Sequence, residues 1–367
     1  MAMTRRPRPQ QVPARPVEEV LPVIEEPLTT KEGWHRFVDH QTSPPALPAH
    51  ADLLTLSDAE RFRLDQARRD YHAQLPLAHT PVIRQVMTTG RLLVQLNHRQ
   101  VSARRGLIVS GASGTGKTTA LTQLGRTHEL AVRRRHPGLA GQNRLPVIYV
   151  TVPPAATPKM LAAEFARFLG LEFNPRANLP EIVNAVCTTA AATHVELVLV
   201  DEIHNLNLAT RSGAEVSDQL KYFAERLPAT FAYAGIDVEA QGLFGGVRGR
   251  QIAGRFTLIG SAPFDYGTAA QRESWAGLVA TLESTLRLHN HDAGTLVGLA
   301  EYLFQRTGGM IGSLSQLVRG GAILAIEDGS ERITRDLLDL VPVDFAAERS
   351  TAARRPRARA ATKQASA

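Results

Sequence analysis

The chain has 367 residues, 43% hydrophobic and 21% charged, with a formal net charge of +7. That balance belongs to a globular protein able to bury a core without staples. Its single cysteine, Cys187, excludes an internal disulfide and a cysteine-built zinc site. The apolar runs fall far short of the roughly 20 residues that span a bilayer. No apolar stretch backs the N-terminal arginines. No membrane contact is therefore expected, and the expected setting is a reducing cytoplasm.

The charge is unevenly placed. Residues 1–16 carry Arg5, Arg6, Arg8 and Arg15 without an acid, and residues 349–367 carry five arginines and Lys363 without an acid. The body between them is mildly acidic. Basic ends of this kind suit the phosphates of a nucleic acid or serve only to solubilise.

Residues 1–55 are proline-rich and read as a largely disordered arm. Within it Trp34, Phe37 and Val38 form a short apolar stretch that suits docking to a partner. Ser57 with Glu60 makes a capping box that opens a helix ending before Pro76. Thr80-Pro81 opens a second helix through Val82, Val86 and Leu93. From Gly106 the pattern alternates. Strands are expected at Leu107–Val109, Val147–Val150, Leu197–Val200, Phe231–Ala234 and Phe256–Ile259, with helices between them. Apolar strands separated by helices make a parallel sheet covered on both faces. After Asp265 the strands cease, and helices are expected near 268–288, 293–306, 312–327 and 331–340. The division expected is an arm 1–55, a nucleotide-binding domain 56–264 that includes the two leading helices, a helical lid 265–345 and a basic disordered tail 346–367.

Residues 111–118 read Gly-Ala-Ser-Gly-Thr-Gly-Lys-Thr. This is the phosphate-binding loop pattern, with the required strand before it and helix after it. Gly111, Ala112, Ser113, Gly114, Thr115 and Gly116 would turn backbone N–H groups onto phosphate oxygens, joined by Thr119 at the helix start. Lys117 would bridge the β- and γ-phosphates of ATP, and the Thr118 hydroxyl would complete a Mg²⁺ shell. At the end of a second buried strand, Asp201 would hold the metal and Glu202 would polarise the attacking water. The adjacent Asp-Glu pair points to hydrolysis rather than nucleotide retention.

The loop, the block Asp201-Glu202-Ile203-His204-Asn205-Leu206 and the trailing helices resemble AAA+ ATPases. The nearest likeness is to transposition regulators of the TniB/TnsC type, relatives of the IstB and DnaC helicase-loader group. It covers roughly residues 60–340 and takes in Arg69-Asp70-Tyr71 and Thr80-Pro81. It implies an αβα sandwich, a P-loop NTPase fold with a five-stranded parallel sheet and a small helical lid. It also implies ATP bound between neighbouring subunits of a ring or filament on DNA. The residue that senses the γ-phosphate after the fourth strand falls at Asp237, which equally suits the N-cap of a helix 238–244. The arginine that reaches a neighbour's ATP falls at Arg255, with Arg248 and Arg250 as rivals. The lid's own arginine is left unassigned, with Arg319 a substitute.

Enclosed duplex DNA would meet Arg133, Arg134, Arg135, His136 and Arg144, or the C-terminal arginines. The first group also suits the dipole at a helix C-terminus. No aromatics interleave, so non-specific, salt-sensitive binding is expected. The resemblance thus implies an ATPase that assembles on DNA and recruits or activates a transposase. The alternatives are a helicase loader or replication ATPase, and a nucleotide-gated signalling or defence module that binds proteins.

Overall fold

A computed structural model describes residues 26–53, 55–74, 78–137, 144–174, 176–206, 211–240 and 254–344, without the side chains of 50, 51 and 211–214. Five strands, β1 (Gly106–Ser110), β2 (Val147–Thr151), β3 (Leu197–Asp201), β4 (Thr230–Gly235) and β5 (Phe256–Gly260), pair in the order β2-β3-β4-β1-β5, every pair parallel. β1, β3 and β4 are buried along their whole length. This is why they read as unbroken apolar runs rather than alternating ones. β5, at the sheet edge, alone shows mostly exposed positions. All five strands foreseen from the sequence are present.

Helix α1 (Lys31–Asp39) precedes α2 (Asp58–Ala73) and α3 (Pro81–Asn97). Ser57 caps α2 through the expected box with Glu60, and Thr80 caps α3 with Pro81 in its first turn. α4 (Lys117–Arg135) follows β1 and packs under β2, β3, β4 and β1, while α3 lies against β1, β4 and β5. α5 (Pro158–Phe168), α6 (Leu179–Ala192) and α7 (Arg211–Arg226) complete the layers, with Phe165 stacked on Phe223 at 4.5 Å.

The lid comprises α8 (Ala269–Glu283), α9 (Ala300–Thr307), α10 (Ile311–Glu327) and α11 (Arg335–Leu340). It has its own core around the fully buried Trp275, whose indole donates to the Ala300 carbonyl at 2.8 Å. No single helix among the described residues is long and apolar enough to cross a membrane.

Two boundaries differ from expectation. First, the apolar stretch placed in the proline-rich arm is not a free docking motif. Trp34 is 0% exposed, stacks on Tyr149 at 5.9 Å and donates to Glu129 Oε2 of α4 at 2.6 Å. Phe37 packs beside it, and Arg126 of α4 donates to the carbonyls of Val38 and His40. Prolines end by residue 27 and resume at 44, leaving room for one helix, which Thr30 caps. Residues 1–25 and 345–367, including both basic ends, lie outside the described residues.

Second, α2 belongs with the lid rather than with the domain 56–264. It packs along α10. Its Arg68, 0% exposed, donates to both oxygens of Glu331 at 2.6 and 2.7 Å and to Asp65 at 2.6 Å. Tyr71 adds a bond to the Thr285 carbonyl at 3.1 Å. A buried guanidinium needs this degree of pairing to repay its lost hydration.

Candidate active site

In a parallel sheet every strand points its C-terminal end the same way, and ligands collect where the strand order reverses. Here the chain leaves β1 and crosses to the far edge at β2, so that point lies beyond Ser110. The loop 111–118 fills it. Gly111 has φ +157°, and a Cβ there would come within 1.9 Å of the Ser261 carbonyl oxygen. Gly116, at φ +88°, is the N-cap of α4 and leaves the helix N-terminus without a side-chain cap. Its bare N–H groups are a ready anion site. Ser261 ties the loop to β5 by donating to the Thr115 carbonyl at 3.1 Å.

Lys117 is 8% exposed, and its Nζ donates to the Ala112 carbonyl at 2.6 Å. Burial pushes its pKa below the ordinary lysine value, while Glu202, Asp201 and Asp237 pull it back. Those three acids are therefore its electrostatic neighbours, and the two sequence blocks expected to meet do meet.

Asp201 ends β3 almost fully buried. Its Oδ2 accepts from the Tyr149 hydroxyl at 3.1 Å and its Oδ1 from the Glu202 N–H at 2.8 Å. Burial and the Asp201 carboxylate hold the Tyr149 hydroxyl protonated, well above the usual tyrosine range. Tyr149 thus fixes the carboxylate, a role the sequence reading missed. The signal was available: Thr151 pairs with Asp201 across the strands, and Tyr149 shares the face of Thr151.

Glu202 departs from the strand at φ +56°, ψ +34°, an unusual conformation for a side-chain-bearing residue. This turns its carboxylate toward the loop, and His204 Nε2 holds it at 3.2 Å. Asp237, at φ +42°, also faces Lys117 electrostatically. Residues 238–240 form a turn whose Ala240 N–H donates to the Asp237 carbonyl, and the rest of the helix expected at 238–244 lies outside the described residues.

A cavity of about 460 Å³ opens over the loop. Ser113–Thr119 and Glu202 form one wall, Thr80 and Ile83 of α3 another, and Ile311, Ser315 and Arg319 of the lid close it. The lid touches the loop directly, the Gly312 N–H donating to the Gly114 carbonyl at 3.1 Å. Arg319, left unassigned from sequence, faces this cavity while donating to the carbonyls of His72 at 3.1 Å and Ala73.

The donor set fits a triphosphate with a magnesium ion. Bare N–H groups, one ammonium and one guanidinium would meet phosphates, and aliphatic Ile83, Leu282 and Ile311 would offer a base an apolar wall. No group of three or more His, Cys, Asp or Glu among the described residues could hold a metal alone. A Mg²⁺ ion there would have to complete its shell with phosphate and water oxygens, as is usual for that ion.

Arg255 is not brought into this site. It stands before β5, with its carbonyl accepting from Gly106, the first residue of β1, and its guanidinium 3.7 Å from Glu225. It is a strand length, about 16 Å, from the loop end of the sheet. Arg248 and Arg250 lie outside the described residues.

The arginine cluster expected to follow DNA is largely engaged elsewhere. Arg133 pairs with Asp39 and, at 2.6 Å, with Glu129; Arg135 and Arg144 lie 3.7 and 3.0 Å from Glu196. Burial opposes the Glu196 charge, but His128, Arg144 and Arg135 outweigh it and bring its pKa down to about 2. Of the three consecutive arginines, Arg134 is exposed and has no such ion pair among the described residues.

The fold is similar to solved structures of Aeropyrum pernix ORC proteins. The Aeropyrum pernix ORC2 protein in its ADP form is 15% identical, with 74% of this chain and 71% of that one covered at a TM-score of 0.54. The ORC1 protein of the same organism, in complex with DNA, is 15% identical, with 76% and 67% covered at 0.51. Identity this low carries the fold alone, which is that of AAA+ ATPases. A search of curated proteins finds no match. The model of a family described as bacterial TniB protein matches residues 77–265, from the capping turn of α3 through the end of β5 and the start of the lid. That match spans just over half of the chain and every residue of the loop and the Asp-Glu pair: the chain belongs to the TniB family.

Proposed function

We propose that this protein is a Mg²⁺-dependent ATPase that assembles on duplex DNA in the cytoplasm and recruits or activates a transposase. One observation carries the assembly step: the loop, Glu202 and Arg319 line one cavity, while Arg255 stands at the opposite end of the same sheet. A guanidinium placed there could reach a γ-phosphate only in the site of a neighbouring copy.

Within one subunit the roles follow from position. The N–H groups of 113–118 and Lys117 bind the phosphates. The Thr118 hydroxyl and Asp201 hold the ion, which when bound neutralises charge on the phosphate oxygens. Glu202 orients the attacking water. Arg319 binds the phosphates from the lid side, and the neighbour's Arg255 offsets charge developing on the γ-oxygens. Loss of the γ-phosphate removes what both subunits grip, so hydrolysis loosens the junction. Family membership supports transposition as the setting, and the related ORC1 structure is one bound to DNA. The ion-paired Arg133, Arg135 and Arg144 leave DNA contact mainly to the basic stretches 1–16 and 349–367.

The test is duplex DNA mixed with the protein and a non-hydrolysable ATP analogue. A shifted complex that weakens steeply from low to moderate salt and disappears with ADP is expected. No shift, or one indifferent to nucleotide, would refute assembly on DNA. Arg255→Ala is expected to lower DNA-stimulated turnover by about 10³-fold or more, with fluorescent-nucleotide affinity unchanged. Loss of affinity instead would assign Arg255 a folding role.

A further inference from the structure

A groove of about 930 Å³ runs between α3 and α4. Met87, Val94 and Leu124 give it an apolar floor, and Arg91, Arg99 and Arg135 line it as cations. Arg91 and Arg99 are exposed, as is Leu96 at 57%. The one acid lining it, Glu196, is already engaged by His128, Arg135 and Arg144. The groove therefore suits a ligand both aliphatic and anionic.

Such a segment exists in this chain. Residues 17–26 read Val-Glu-Glu-Val-Leu-Pro-Val-Ile-Glu-Glu: four carboxylates, five aliphatic side chains, one proline and no cation. Pro22 disfavours a helix and favours the extended form a narrow groove accepts. The described chain begins at Glu26 and passes directly into α1. α1 is anchored on α4, since Trp34 bonds to Glu129, and the next residue back, His128, lines the groove. The anchor and the groove thus flank one helix, a body about 10–12 Å wide. The four residues 22–25, extended, reach roughly 13 Å, enough to cross it and leave 17–21 for the groove.

We propose that residues 17–21 lie in the α3–α4 groove of the same chain, the Glu18 and Glu19 carboxylates against Arg91 and Arg99 and the Val17, Val20 and Leu21 side chains on the floor, with 22–25 crossing α4 from α1. A phosphate track is the poorer fit, since an aliphatic floor and a carboxylate do nothing for a nucleic-acid backbone. The basic stretch 1–16 would then leave the body at the groove's mouth. This holds whether or not the protein hydrolyses ATP.

The test uses the full chain with paired cysteines. Glu19→Cys with Gln95→Cys probes the groove, where Gln95 is exposed. Glu19→Cys with Glu172→Cys is the control. Glu172 is exposed and two residues from Gly170, against which Lys31 of α1 lies, so it is close to the anchored end. Native Cys187 is buried, and burial raises its thiol pKa, keeping it unreactive. Under mild oxidation the Gln95 pair is expected to close within one chain about tenfold faster than the control, through its higher effective concentration. Adding Arg91→Glu and Arg99→Glu should bring that rate down to the control's. Salt near 0.5 M should also slow it, a check that needs no further substitution. Equal rates for the two pairs, a disulfide formed only between chains, or indifference to salt and to the charge reversals would each overturn the proposal. So would charge reversals that weaken duplex binding while leaving the rate untouched.

Discussion

Glu202→Gln is expected to lower ATP turnover by roughly 10²–10⁴-fold, the range for a group that handles the proton of the attacking water. Affinity for ATP should stay within about threefold. The amide keeps the size of the carboxylate, and it still accepts from His204 in the bond that Glu202 makes at 3.2 Å. What it loses is the negative charge that polarises water. Asp201 is untouched, because its bond from the residue 202 N–H involves the backbone alone. Phosphate release under steady state, paired with a fluorescent-nucleotide titration, separates the two effects. Turnover near that of the parent protein would remove Glu202 from its role. Equal loss of binding and turnover would mean that the loop itself had been disturbed.

Trp34→Ala should destabilise the protein by about 3–5 kcal/mol, the usual cost of deleting a buried tryptophan. The indole is 0% exposed, lies on Tyr149 and fits against Gly125, where an added Cβ would come within 2.6 Å of its ring. Its removal opens a hole between α1, α4 and β2. It also strips the buried Glu129 carboxylate, 1% exposed, of one of its two close donors, leaving Arg133. Trp34→Phe keeps most of the packing and should cost only about 1–3 kcal/mol, the price of the lost bond. Denaturant midpoints compare the two. A Trp34→Ala protein as stable as its parent would show that α1 is dispensable to the domain.

The sheet and the phosphate loop were legible because they are local patterns. A strand buried on both faces must be apolar at every position, as Leu197–Val200 is, and a loop that wraps phosphates must carry glycine at fixed spacings. What escaped depends on residues far apart in sequence. Nothing near Trp34 announces Glu129, 95 positions on, and the surrounding prolines pointed to an arm without structure. The attachment of α2 to the lid rests on Arg68 and Glu331, 263 positions apart. Arg133, Arg135 and Arg144 read as cations for DNA or for the helix dipole, because Asp39 and Glu196 come alongside only on folding. Arg319 sits two turns into its helix, and only the crossing of α10 over the loop shows that it faces the same cavity as Lys117.

The division of the two leading helices has a mechanical outcome. α3 packs on the sheet and α2 on the lid, and Ala78, Thr80 and Ile83 beside them line the cavity over the loop. Arg319 grips the last carbonyls of α2 and faces the phosphate side of the cavity. Any tilt of the lid relative to the sheet would therefore carry α2 with it and change its separation from α3.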